Sequence, residues 1–314
     1  MVNLKNLCVL ATCASILTAC NSGSDSSNSS STSNSTPASV VTNTPLNINL
    51  KFAAAVNNQD FVCGTTYSPV GTAVANSYKI TDFRFYVHNI KLLKSDNTQV
   101  SVSLNQDGKW QTSNVALLDF ENGCLNGTPE TNSQVVGTVP YEANPNYTGV
   151  CVTLGLPFNL NHIDSSTAPS PLNVTGMFWS WTTGRKFVRI DGVADPDVLK
   201  QNYFIHLGST GCVDTTKTGI APSSPCTYPN TVEMCFNNFD VSKDTLVADV
   251  ADVLRASNLT YNTPNTAAGC MSGNNDPECI EILPRLGLDF TYADGVNPTV
   301  KYPRQSDFLK VRKP

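Results

Sequence analysis

The chain has 314 residues, a net charge of −5 and only 14% charged residues. No basic stripe exists that could follow a phosphate backbone, which excludes a nucleic-acid binder. Gly and Pro stand at 19 each, and together with the few charges they suit strands separated by many turns.

Taken in order, the chain opens with Lys5 in a short basic region, a mostly apolar run over residues 7–17, and then Leu17-Thr18-Ala19-Cys20. This is the pattern of a bacterial lipoprotein signal, so residues 1–19 are expected to be removed and Cys20 to carry lipid. Asn21 after the cysteine directs the expectation to an outer-membrane lipoprotein facing the periplasm or the cell surface. Residues 20–45 are Ser, Thr, Asn and Pro with almost nothing to bury, and they cannot offset their own ordering entropy. As a random coil such a tether spans on the order of 25–30 Å, enough to hold a domain clear of a lipid surface. No second linker follows, so residues 46–314 are expected to form a single domain.

Residues 46–56 alternate as a first strand, and 78–93 form a longer one with Phe83, Phe85 and Val87 on one face and Arg84, Tyr86 and His88 on the other. Residues 100–104 and 115–119 continue the pattern, and 135–156 read as strand, turn, strand around Asn144-Pro145-Asn146. Residues 158–164 read as a polar loop. Residues 176–191 read as a hairpin turning at 182–184, with Trp179 and Trp181 on one side of its first arm and Met177 beside them. Residues 203–212 run from a short apolar strand into a Gly-rich turn, 231–236 is a strand, and 240–254 ends with a short helical spacing. Residues 286–292 read as a last strand. Many short strands with few helices predict an all-β fold, a β-sandwich with long disulfide-braced loops and little helix.

Of eleven cysteines, Cys8 and Cys13 leave with the signal and Cys20 is lipidated. The eight that remain, Cys63, Cys124, Cys151, Cys212, Cys226, Cys235, Cys270 and Cys279, read as up to four disulfides in an oxidising compartment. Cys63 and Cys124 follow strand ends and are available to each other, and 270–279 reads as a small disulfide-closed loop. No Cys-x-x-Cys spacing supports a zinc or cluster site, and no Cys-x-x-Cys-His supports a covalently attached haem. The three histidines, His88, His162 and His206, lack the short spacing of a metal motif, and a lone histidine is by default a hydrogen-bonded structural residue. Each lies near a strand end, where separate strands can converge, and imidazole suits copper, zinc, iron and nickel. Hydrolase and nucleotide chemistry have no motif here: there is no Gly-x-Ser-x-Gly, no His-Glu-x-x-His and no P-loop.

Several blocks together resemble the metallo-mystery-pair four-Cys-motif family, proteins like the periplasmic partner encoded in methanobactin operons. These are Ile80-Thr81-Asp82-Phe83-Arg84-Phe85-Tyr86-Val87, Val115-Ala116-Leu117-Leu118-Asp119-Phe120 and Gly155-Leu156-Pro157-Phe158-Asn159-Leu160-Asn161-His162. The segment 177–191, His206-Leu207-Gly208-Ser209-Thr210-Gly211-Cys212, and Gly269-Cys270-Met271 with Asp276-Pro277-Glu278-Cys279 complete the set. The resemblance implies a copper-binding β-sandwich, not itself an enzyme, that acts in copper acquisition or handling. It implies a transient partner, a dihaem cytochrome c peroxidase-like enzyme of the MbnH type, which oxidises one tryptophan to kynurenine.

Trp179 and Trp181 are the matching positions, and His162 and His206 carry over as copper ligands, with Cu(I) the implied state. His88 stands where the family more often has a small polar residue, and its imidazole joins the candidate set as a further nitrogen donor. Cys151 and Cys235 sit in strands where the family usually has other residues, which implies an extra disulfide between them. The chemistry is reasonable, because indole nitrogen is donor-only whereas kynurenine presents an aromatic amine and a carbonyl. The competing reading is a surface lipoprotein for adhesion or protein binding, with structural histidines and no metal.

Overall fold

The alternation over residues 46–56 becomes the strand Leu46–Val56, which buries Ile48, Leu50, Phe52 and Ala54 on one side. The computed structural model describes residues 43–72, 77–124, 129–180, 184–213 and 221–314. The expected signal 1–19, Cys20, nearly all of the linker and Trp181 lie outside the described residues. Residues 43–314 form one compact unit.

Two sheets carry the core. In the smaller, Leu46–Val56 lies between Thr245–Asp249, to which it is parallel, and Gln134–Val139, to which it is antiparallel. The larger runs Val232–Asn237, Tyr147–Leu154, Tyr78–Lys94, Val188–Ala194, Gln201–Leu207, Gly269–Cys270. Phe52 of the smaller sheet meets Phe85 of the larger edge-on, with ring centroids 6.2 Å apart, and Phe308 reaches Phe85 at 5.1 Å. Helix among the described residues is limited to single turns at Phe158–Asn161, Val250–Leu254 and Cys279–Ile282, with a 3-10 turn at Thr175–Met177. The all-β class expected from the turn-rich composition is therefore present.

The strand Tyr78–Lys94 organises the functional side. Phe83 and Phe85 enter the core between the sheets, while Asp82, Arg84, Tyr86 and His88 point the other way, yet these are buried too. A third layer, drawn from the segment between Leu154 and Val188, covers them: the Tyr86 hydroxyl donates to the Pro171 carbonyl at 2.8 Å. One edge of the long strand pairs with Val188–Ala194 along its first half and with Tyr147–Leu154 along its second. The exchange happens at Tyr86, whose N–H donates to the Phe187 carbonyl and whose carbonyl accepts from Gly155. Gly155 sits at φ +101°, and a Cβ there would come within 2.8 Å of the Phe187 ring, so the parting of the two strands requires glycine.

All eight cysteines are paired: Cys63–Cys124, Cys151–Cys235, Cys212–Cys226 and Cys270–Cys279. Cys151 and Cys235 are register partners on adjacent antiparallel strands, which is why they meet. Four disulfides mark an exported, non-cytoplasmic chain.

The local pattern differs from expectation in four places. Residues 158–161 form a turn of helix rather than loop. The hairpin is split: among the described residues Phe178–Ser180 pairs with Gly184–Arg185, and Val188–Ala194 belongs to the large sheet. Met177 lies in the preceding 3-10 turn, fully buried, so strand alternation does not extend back to it. The chain also continues past Phe290–Tyr292 into Val300–Tyr302 and Leu309–Arg312, the latter completing the smaller sheet beside Thr245–Asp249. Its mix of Lys and Arg with apolar residues is that of an edge strand half open to solvent, which weakens the pattern.

Candidate metal centre

Where the two strands part, the single helical turn Phe158–Asn161 delivers His162 as its C-cap residue. The imidazole packs on Phe158, ring centroids 4.9 Å apart, and lines a cavity of about 80 Å³ with Leu156, Phe187, Ser209 and Cys226. Asn161 fixes the local orientation. Its Oδ1 accepts the Arg185 N–H at 2.8 Å, so its Nδ2 is the donor, to Ser209 Oγ at 2.8 Å and towards His162 Nε2 at 3.1 Å. Nε2 therefore carries the lone pair in this arrangement. Cys226 Sγ lies 3.5 Å from the same nitrogen.

Arg185 holds this turn from beneath. It is fully buried, and its guanidinium donates to the carbonyls of Leu172 at 2.7 Å, Leu160 at 3.2 Å, Asn161 at 2.6 Å and Ile163 at 3.1 Å. Those carbonyls include ones that a short helix leaves without a partner at its end. Burial lowers the Arg185 pKa below its usual value. Gly184 packs so closely that a Cβ there would lie 2.4 Å from Asn161 Oδ1.

His206 is set differently. It lies on Gln201–Leu207, is the register partner of Arg189, and is buried. Its Nε2 lies 2.6 Å from Asp191 Oδ1. Phe204 stacks parallel to it at 5.8 Å, and the half-buried Trp179 meets it edge-on at 6.1 Å. The Trp179 ring also lies over Gly208, where a Cβ would stand 3.0 Å from indole carbon Cε3. Burial drives the His206 pKa down, partly opposed by its bond to Asp191, and the imidazole is neutral near pH 7. Burial alone would raise Asp191, but hydrogen bonds from His206 and Arg189 bring it down to about 2.

Behind this pair runs a ladder of buried charge. Arg84 is the register partner of both Arg189 and Asp119, on neighbouring strands. Arg84 is paired with Asp82, Arg189 Nη1 reaches Asp82 Oδ2 at 3.2 Å, and Arg189 Nε and Nη2 reach Asp191 Oδ2 at 2.8 and 2.5 Å. Asp119 is pushed up to about 7, chiefly by burial and against the pull of Arg84.

His88 sits at the parting itself, its Nδ1 2.8 Å from the Gly155 carbonyl, which leaves Nε2 as its lone-pair nitrogen. Burial lowers its pKa. The structure thus brings Trp179 and His206 together, and links His162 to the same strand end through Asn161 and Ser209. Among the described residues no contact joins His88 to these rings. The clusters of metal-ligating atoms among the described residues are His162 with Cys212 and Cys226, and Glu121 with Cys63 and Cys124; in both, the sulfurs are consumed in disulfides. What remains for a metal is imidazole nitrogen, a donor that suits copper, zinc, iron and nickel.

Sequence reasoning did not single out Asn161, Arg185, Arg189 or Asp191. A signal was present: Arg189-Ile190-Asp191 places two opposite charges on one face of an otherwise apolar strand, in a chain with few charges.

Comparisons with known proteins identify the family. The family model described as MbnP matches residues 45–272. Among solved structures, MbnP from Methylosinus trichosporium is 27% identical, with a TM-score of 0.72 over 86% of this chain and 99% of that one. No curated protein matches.

Proposed function

Because the chain belongs to the MbnP family, we propose that it is an exported, lipid-anchored copper-binding protein of the methanobactin type, without enzymatic activity of its own, that acts in copper acquisition or handling. Cys20 carries the anchor. His206 and His162 supply imidazole nitrogens, and Trp179 or Trp181, oxidised to kynurenine by a dihaem partner, supplies the third donor. The oxidation cleaves the indole C2–C3 bond, takes up two oxygen atoms from an oxidant at the peroxide or dioxygen level, and releases C2 as formate on hydrolysis. It converts a donor-only N–H into an aromatic amine with a lone pair. Cu(I) is the proposed ion.

The observation that carries this reading is the edge-on contact of Trp179 with His206, whose imidazole is kept neutral by burial. An intact indole in that place has no lone pair to offer a metal on the histidine, and the ring-opened amine does. A competition titration with a chromophoric Cu(I) chelator tests the ligand set, using protein co-expressed with its partner. The His162→Ala, His206→Ala double variant is expected to lose at least a hundredfold in Cu(I) affinity. Affinity equal to the parent's refutes the assignment.

A further inference from the structure

We propose that Asp191 and Arg189 are the positioning pair of this centre: Asp191 fixes His206 as the tautomer that offers Nδ1 to the metal, and Arg189 ties that histidine to the segment carrying Trp179. The inference rests on the copper reading above for its functional meaning, and on this chain's own geometry for its substance.

Asp191 uses both carboxylate oxygens. Oδ2 receives the Arg189 guanidinium through Nε at 2.8 Å and Nη2 at 2.5 Å, and Oδ1 faces His206 Nε2 at 2.6 Å. A carboxylate held by an arginine fork is an acceptor, so a nitrogen at that distance must carry a proton. With that proton on Nε2, Nδ1 is the ring nitrogen whose lone pair can meet a metal. The other tautomer would set two lone pairs against each other across a bond-length gap in a buried site. This is the arrangement by which an outer carboxylate orients a ligating histidine and raises its basicity.

Arg189 extends the constraint to the opposite side of the site. Its Nη1 donates to the Gly176 carbonyl at 3.0 Å, and Lys186 Nζ donates to the same oxygen at 3.2 Å. Gly176 is pressed against the guanidinium, where a Cβ would lie 2.7 Å from Arg189 Nη1. Three residues further along stands Trp179. One arginine therefore grips the carboxylate that holds the histidine and the main chain that presents the tryptophan. Asp82 backs Arg189 at 3.2 Å and is itself paired with Arg84, so the clamp is anchored in the central strand of the large sheet. Neither Asp191 nor Arg189 contacts the metal in this scheme.

Two measurements test the pair. Long-range ¹H–¹⁵N correlation spectra of histidine-labelled, metal-free protein read the tautomer directly, and His206 is expected as the Nε2–H form. An Nδ1–H form overturns the proposal whatever the copper affinity. Cu(I) competition on partner-modified protein then compares Asp191→Ala with Asp191→Asn. Alanine is expected to weaken binding roughly 10- to 100-fold, the range for removing an outer-shell partner. Asparagine, whose carbonyl can still accept Nε2–H, is expected to recover part of that loss. Parental affinity in Asp191→Ala overturns the positioning role. If Asp191→Ala does not fold, the spectra of the parent and the affinity of Asp191→Asn still decide: an asparagine variant that keeps Nε2–H and stays within tenfold supports the pair, and one that switches tautomer without weakening copper refutes it. A parent that binds no Cu(I) while showing the Nε2–H form would remove the copper reading and leave the tautomer assignment standing.

Discussion

The two histidines expected to share the metal are held in opposite ways. His206 is part of the large sheet, its backbone in a seven-residue register with Val188–Ala194 and its ring gripped by a carboxylate and an arginine. His162 sits at the end of a single helical turn with no side-chain cap; its ring packs on Phe158 and meets the Asn161 amide, and Arg185 holds the turn through main-chain carbonyls. One half is built into the sheet, and the other is supported separately and linked to the end of the His206 strand through Asn161 and Ser209. Charge fixes a ring when it is delivered as a paired carboxylate, and fixes a turn when it is delivered as a buried cation to carbonyl oxygens.

The largest effect should come from removing the support of the second half. Arg185→Leu strips donors from four carbonyls around a fully buried guanidinium, and should cost about 3–5 kcal/mol in urea unfolding, in the range for breaking a buried charged network. The cost should fall on the His162 side: the His206 tautomer should be unchanged in any protein that still folds. If both halves respond together, they are one unit and the contrast drawn here is wrong.

The charged ladder behind His206 should give an intermediate, pH-dependent effect with two signs. Asp191 stands at about 2 in the folded chain, below its unfolded range near 4, so its contribution is complete above about pH 4 and is lost as the pH falls through 2. That segment is worth on the order of 2 kcal/mol and should vanish from the acid unfolding curve of Asp191→Asn. Asp119 stands at about 7, above its unfolded range, so stability should fall as the pH rises from about 4 to about 7. Asp119→Asn should flatten that decline. Curves of Asp119→Asn and the parent that coincide between pH 4 and 7 would show that the carboxyl is ionised throughout.

The smallest effect is expected at His88. Its Nδ1 satisfies the Gly155 carbonyl at the glycine that parts the strands, a structural duty that glutamine can take over. His88→Gln should shift stability by less than about 1 kcal/mol, within the ordinary range for a substitution that keeps its hydrogen bond, and Cu(I) affinity by less than about threefold. A tenfold loss of affinity would make His88 a third corner.

Much of the frame is legible in the residues. The alternation of Phe83 and Phe85 against Arg84 and Tyr86 assigns both faces of the central strand correctly, because a strand has period two whatever covers it. That both faces are buried is not legible, since the covering layer comes from the irregular segment between Leu154 and Val188, whose prolines and turns read as surface loop. The pairing of Cys151 with Cys235 follows from the resemblance and from strands that prove to be neighbours. Single residues with chemical signatures, the histidines and Trp179, stand out in a sequence. Asp191, Arg185 and Asn161 do not, because their role depends on which backbone groups and rings the fold brings to them.

Mass spectrometry of the tryptic peptide that spans Trp179 and Trp181, from protein made with and without the proposed dihaem partner, tests the central claim most directly. The account predicts that one of the two tryptophans is converted to kynurenine when the partner is present, and that high-affinity Cu(I) binding appears with the conversion. A peptide that carries only unmodified tryptophan, in protein that nonetheless binds Cu(I) with full affinity, would contradict it.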